Sequence, residues 1–380
     1  MVALRRHFHA HPEIAYTEIK TSQKIRETLS KLKIKSKVCT PTGVLGRLNP
    51  GQSGVVCAIR SDMDALPILE QTKLEFKSKT PGLMHACGHD VHMAAVLGAA
   101  MILAKLKDRL RGEVRFIFQP AEEVPPGGAG EMIKAGALTK PPVKMIFGLH
   151  TDPHIPVGKI GLRDGVMMSA VLDFDLTVRG RGGHGARPHD CHDAIVIAAQ
   201  LVNSLQTIVS RNIDPVKPAV ITIGQIKGGT ARNVIANEVK IRGTIRATEN
   251  KTVQILKKRV RSVSVNTCRA FEADCDLAFI AEYPPLYNCP EANKFISETT
   301  VELYGKKSVT MLENPALGGE DFSRYLQYAP GAMFRLGVRN PGIDAIHGWH
   351  SNKYMVDEKS MMYGSAILAG AVLRFFDQKG

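Results

Sequence analysis

Three apolar runs, each ending in acids or a histidine, punctuate the first 150 residues. "GVVCAIRSDMDALP" (54–67), "EVRFIFQPAEE" (113–123) and "VKMIFGLH" (143–150) each read as a buried strand that runs into a polar loop. Between the first two lies a helix that starts near Asp90. Its apolar stretch "MAAVLGAAMILA" (93–104) is too short to span a bilayer and reads as a buried or amphipathic helix. Strands alternating with helices predict an α/β domain whose sheet is mostly parallel and covered by helices. In such sheets ligands bind beyond the carboxyl ends of the strands. All three runs carry their polar residues at that end, so the chemistry is gathered at one edge.

The middle of the chain has a different rhythm. "AVLDFDLTVRG" (170–180) alternates apolar and polar, as a strand with one wet face does, and suggests an edge open to pairing. A helical pattern follows at 193–209, then strand patterns at 219–229 and 237–248, a helix at 250–268 and a strand at 272–283. This β-α-β-β-α-β order predicts a small α+β domain with its own sheet. The αβ pattern resumes from about Pro284. The expected organisation is a discontinuous catalytic domain, 1–168 and 283–380, with a lid or dimerisation domain inserted at 169–282.

Length agrees, since 380 residues exceed one ordinary core. The opening "MVALRRHFHAHPE" has no apolar signal core, and a cytoplasmic protein is expected. Seven cysteines, scattered and without a C-x-x-C pair, argue against a disulfide framework and against a structural zinc finger. The net charge of +14 invites a nucleic-acid reading. The basic residues are spread out, however, and short clusters such as "KLKIKSK" (31–37) lack interleaved aromatics for base stacking. A solvated basic face is the better reading; neither nucleic acid nor membrane is an expected partner.

The densest chemistry is "MHACGHDVHMAAVLGAA" (84–100), with His85, Cys87, His89, Asp90 and His92 just before or within the helix start. Three readings compete: a structural zinc site, a thiol nucleophile with a histidine base, and a catalytic metal site. Cys87 and His89 lie two residues apart, and the strand ends add Glu123 and His150, while "HGWHSNKYMV" adds His347 and His350. Cys sulfur, His nitrogen and Glu oxygen are the donors that zinc and its neighbours take. A thiol hydrolase needs one base and one orienting group, not this many ligands.

"RSDMDALP", "MHACGHDVHMAA", "QPAEE", "GLHTDP", "GRGGHGARPHD", "ARNVIANE", "GGEDFS" and "HGWHSNKYMVDE" occur in that order. With these motifs the chain resembles the metal-dependent amidohydrolases that include hippurate hydrolase, indole-acetyl amino acid hydrolases, bacterial N-acyl-amino acid deacylases and related archaeal carboxypeptidases. The resemblance covers nearly the whole chain. It implies that Cys87, His89, Glu123, His150 and His350 hold a pair of divalent ions (zinc, manganese, cobalt or nickel). It also implies that Glu122 is the general base toward a metal-bridged water, with Asp62 orienting a ligand. Asp64 is expected to cap the turn after it. From the inserted domain, His184 is implied to stabilise the oxyanion, often in the partner subunit's site, with Asn233, Arg246, Gly318 and Gly319 facing substrate. No role is expected for His85, His92, His189 or His192 beyond support or surface placement.

The implied reaction is cleavage of the amide of N-acyl amino acids or short N-blocked peptides by a homodimer or dimer-based oligomer. The alternatives are a carboxypeptidase on free dipeptides or a deacetylase of a biosynthetic N-acetyl intermediate. The chain departs from the wider pattern in three places. Arg60 stands where the superfamily has a histidine, two residues before Asp62, and Cys87 looks like the compensating ligand. Ala236 replaces a proline, and the N-terminus is short, so an opening helix lacking part of its length is expected.

Overall fold

The three apolar runs become neighbouring parallel strands in one sheet. In the computed structural model, which describes residues 1–51 and 54–379, Val56–Asp62 lies between Glu113–Gln119 and Met145–Pro156 and is parallel to both. Gly331–Arg339 continues the parallel set beyond Met145–Pro156. Outside this centre the sheet is mixed. Val44–Leu48 and Lys35–Val38 add antiparallel strands on one side, and Ile160–Leu162 and Val309–Met311 complete the eight strands on the other.

Every residue of Val56–Asp62 and Glu113–Gln119 is buried, as expected of strands covered on both faces. The register sets the functional edge. Asp62 is opposite Gln119, and Arg60 is opposite Gly148, so His150 comes level with Asp62 two residues further on. The helix expected near Asp90 spans His89–Lys105 and is buried almost all round, from His89 through Ala100 and again at Leu103. It packs against Ser360–Lys379. Each fully buried Leu or Val on it contributes about 1.5–3 kcal/mol relative to exposure, and this core fixes the helix start where the donors cluster.

The chain divides into two compact units. The first comprises Met1–Met167, Tyr287–Asn314 and the chain from Asp321 onward; the second comprises Met168–Leu286 and Pro315–Glu320. The second unit thus takes a short return segment that the sequence pattern assigns to the catalytic domain. Ser169 holds that segment, its amide donating to Ala316 O (2.9 Å) and its hydroxyl to Leu317 O (2.9 Å).

Within the second unit the strands run in the order Ala219–Gly228, Glu238–Ala247, Ala170–Arg179, Asp274–Tyr283, all antiparallel. Ala170–Arg179 therefore has a partner on each side, and its expected role as an open edge is corrected. Alternation along a strand reports one wet face; it carries no information on the edges. The open edges are Ala219–Gly228 and Asp274–Tyr283. Ala194–Asn212 is, among the described residues, the one helix long and apolar enough to cross a membrane by length and composition. Its Ile197, Leu201, Leu205 and Ile208 are buried in the second unit's core, and Asp193 caps its start through the Ile195 amide (2.9 Å).

Candidate metal centre

Five donors expected from distant parts of the sequence meet at the functional edge. One donor atom each from Cys87, His89 and His150 lie within 4.8 Å of one another, and the same holds for Cys87, Glu123 and His350. Glu122 joins His89 and Glu123 in a further group of the same size. Cys87 Sγ is 3.5 Å from His150 Nε2, and Glu123 Oε1 is 3.3 Å from His350 Nε2. His347 is not in these groups; it faces Asp344 at 3.6 Å.

Local backbone geometry makes this convergence possible. Gly88, between Cys87 and His89, has φ 90°, and a Cβ there would come within 2.6 Å of Thr151 Oγ1. Only glycine adopts that conformation at such a close approach without strain. His350 also has a positive φ, 61°, which is costly for a histidine, and its amide is tied to Ala86 O at 2.9 Å.

The hydrogen bonds select the tautomers that a metal needs. His89 Nδ1 donates to Asp64 O (2.8 Å) and His150 Nδ1 donates to Thr151 O (2.8 Å). Each Nε2 then faces the cluster, the usual arrangement for a ligating histidine. His92 differs: Nδ1 donates to Asp62 Oδ1 (2.7 Å) and Nε2 accepts the Thr151 amide (2.9 Å). Both of its nitrogens are engaged by protein partners, although Asp62, His89 and His92 also form a close donor group. The buried atoms His89 Nε2 and Glu123 Oε1 make no well-formed hydrogen bond, only ion-pair contacts such as those to Asp62 (3.7 Å) and His350 (3.3 Å). Unsatisfied buried polar atoms are costly, and a divalent ion would satisfy both, so the donor set fits a metal.

The electrostatics of these groups are strongly perturbed. Burial, reinforced by Glu123, pushes the Cys87 thiol well above its usual range. That opposes a free thiolate, whereas a thiol nucleophile needs a lowered value. Burial alone would lower His89, but Asp62 overrides it and holds the imidazole well above its ordinary value. Burial would likewise raise Asp62; His89, His92 and Arg60 together hold it well below the carboxylate range. His150 is pushed well below its usual value by burial, then by His92 and Arg335.

Arg60, without an expected role, and Asp64, expected only to cap its turn, organise this edge. Arg60, 1% exposed, donates to Asp62 Oδ2 (2.8 Å), Asp321 Oδ1 (2.8 Å) and Gln119 Oε1 (3.0 Å). Asp64 does not cap its turn: its carboxylate accepts from the Glu122 and Glu123 amides. Arg60 stands out in the sequence as a departure from the superfamily; nothing marks its partner Asp321, 261 residues away. His85 is buried, makes no hydrogen bond, and is pushed down to about 4 by burial.

The second unit brings its own candidates together in two places. His184 pairs with Val234 across two short strands, and the Gly185 amide donates to Asn233 O (2.8 Å), so His184 and Asn233 are neighbours, both exposed. Arg246 is opposite Val171, and burial lowers its pKa. Gly319 packs on the same Val171, where a Cβ would collide, and Gly318 approaches Met168. His189 is exposed and His192 partly so, consistent with surface placement.

The chain as a whole is similar to known proteins. A family model for "Peptidase family M20/M25/M40" matches residues 58–374. The chain is 40% identical over 379 residues to thermostable carboxypeptidase 1 of Saccharolobus solfataricus, covering 99% of this chain and 95% of that one. It is 36% identical over 371 residues to N-acetylcysteine deacetylase of Bacillus subtilis, covering 97% and 95%. Among solved structures, a dinuclear metal-binding peptidase of the M20 family from Bacillus subtilis superposes with a TM-score of 0.85 at 33% identity, covering 99% of this chain and 97% of that one. With its donors gathered at the carboxyl edge of a mostly parallel sheet, the chain belongs to peptidase family M20/M25/M40 and is a metal-dependent hydrolase.

Proposed function

We propose that the protein hydrolyses the amide bond of N-acyl amino acids or short N-blocked peptides at a centre of two divalent ions. The observation that carries this reading is the pairing of two donor groups, Cys87–His89–His150 and Cys87–Glu123–His350, with a second carboxylate, Glu122, beside them. Ions held there (zinc, manganese, cobalt or nickel) would supply Lewis acidity to an attacking water and to the scissile carbonyl.

The chain's own groups do the rest. The Glu122 carboxylate takes the proton of the attacking water and returns it to the departing amine nitrogen. Asp62 fixes His92 and lies 3.7 Å from His89 Nε2, so it sets the orientation and charge of the ligand face. In the second unit, His184 stabilises the oxyanion, Asn233 faces substrate, and Arg246 holds the free carboxylate through a bidentate pair. Gly318 and Gly319 shape the pocket with backbone groups.

We further infer a homodimer, built through an open edge of the four-stranded sheet, in which His184 serves the partner's site. All seven cysteines are free, which suits the cytoplasm.

The name of the Saccharolobus relative favours one second reading, a carboxypeptidase acting on free dipeptides. A turnover panel decides between them: acetyl, benzoyl and indole-acetyl amino acids against free dipeptides, each with zinc, manganese, cobalt and nickel. Higher kcat/KM on the acyl amino acids supports the proposal, and higher kcat/KM on free dipeptides replaces it with the second reading.

A further inference from the structure

The turn that carries Glu122 and Glu123 is held from outside. Ala121, at its start, has φ 54°, a left-handed conformation that a residue with a side chain adopts only when its surroundings impose it. Three consecutive amides in this turn donate to buried carboxylates. Ala121 N–H reaches Glu18 Oε1 at 2.9 Å, Glu122 N–H reaches Asp64 Oδ1 at 3.0 Å, and Glu123 N–H reaches Asp64 Oδ2 at 3.0 Å. Glu18 is itself anchored by the Thr42 hydroxyl at 2.6 Å. Asp64 is 1% exposed, and its backbone carbonyl is the acceptor for His89 Nδ1.

We propose that Asp64 is the positioning residue of the hydrolytic centre. One carboxylate oxygen per amide sets the backbone from which Glu123 turns to the metal and Glu122 to the substrate water, while the carbonyl holds His89 with Nε2 presented. The inference rests on the reading of Glu122 as base and Glu123 as ligand, and adds the group that aims both. It explains why a carboxylate occupies this position. Two amides arriving at two different oxygens need two acceptors, and an asparagine offers one acceptor and one donor. Whichever way the side-chain amide of an asparagine turned here, its NH2 would face a backbone N–H.

The test is Asp64→Asn, compared with wild type in three measurements. Metal affinity is followed by titrating the metal-free protein with Co2+ and reading the fluorescence of Trp349, the chain's single tryptophan, whose ring centroid lies 5.9 Å from that of His150. The others are kcat and KM at saturating metal, and the thermal midpoint of the metal-free protein. Loss of a group that orients ligands costs about 10–100-fold in metal affinity or activity. We expect both the Co2+ dissociation constant and kcat to worsen by about that factor, with KM within about twofold. A variant that lowers the midpoint but keeps wild-type Co2+ affinity and kcat has lost a merely structural residue, and overturns the proposal.

Should the variant fail to fold, hydrogen exchange in the metal-free wild type decides. Protected amides at 122 and 123 support the clamp, and exchange at the rate of an open loop refutes it. Failure of the underlying reading looks different: wild type binding no pair of ions, or Glu122→Gln retaining turnover, removes that reading and this inference together.

Discussion

Arg60 is a fully buried cation that serves two carboxylates at once, and Arg60→Met removes the charge while keeping much of the volume. The guanidinium bonds Asp62, Asp321 and Gln119 at 2.8–3.0 Å. Asp62 keeps His92 as a partner, and Asp321 keeps Gln119 and the Ala129 amide. Each nonetheless loses a buried cation, although His89 and His92 still face Asp62. Removing one partner from a buried ion network costs about 3–5 kcal/mol, and little of this should be cavity. With a urea slope of about 3 kcal/mol/M, the unfolding midpoint of the metal-free protein falls by about 1–1.7 M. Trp349 fluorescence reads this, since the tryptophan lies in the first unit. The pH dependence has a definite sign. Asp62 has a depressed folded value, so its contribution is present above the unfolded pKa of about 4 and is lost as pH falls through the folded one. The penalty of Arg60→Met should therefore be full at pH 7 and shrink below about pH 4. A loss under about 1 kcal/mol at pH 7, or an equal loss at both pH values, would refute the reasoning.

Three further outcomes follow from the same geometry. Cys87 should be protected from alkylation in the metal-loaded protein and label after chelation, faster as pH rises, because burial keeps its thiol protonated; equal labelling in both states removes it from the ligand set. Metal affinity should rise with pH between about 6 and 8: Cys87 and His89, both with raised values, must each release a proton, whereas His150, with its lowered value, releases none. The slope is up to about two log units per pH unit, and a flat profile contradicts the assignment. Mixing inactive Glu122→Gln and His184→Ala proteins under subunit exchange should restore activity if His184 acts in trans; no recovery despite verified exchange assigns it to its own subunit.

The parallel centre of the sheet is legible because its buried strands are built on short apolar runs, as at Val56–Asp62 and Glu113–Gln119, even with Arg60 and Arg115 buried among them. The ligand candidates are legible for a related reason: Glu123 and His150 each sit where an apolar run stops, and Cys87 lies in the loop just before the apolar helix His89–Lys105 begins. What does not show is pairing at a distance. The alternation of Ala170–Arg179 says which face is wet but not that a strand lies on each side. Asp64 reads as a turn residue because the amides it serves are 58 and 59 positions away. His92 reads as any helical histidine until the Thr151 amide is seen to occupy its second nitrogen. The return of 315–320 to the second unit is made by scattered contacts, Ser169 to Leu317 O and Gly318 and Gly319 against Met168 and Val171, that no local pattern announces.

The central claim is that Glu122 moves the proton while its neighbour Glu123 holds metal, and one preparation of Glu122→Gln tests both halves. Metal content and turnover are measured on that preparation beside wild type. The account predicts two divalent ions per chain in both proteins, with turnover in the variant lower by about 10²–10⁴-fold. A variant that keeps a tenth of wild-type turnover, or a wild type that holds no more than one ion per chain, would contradict it.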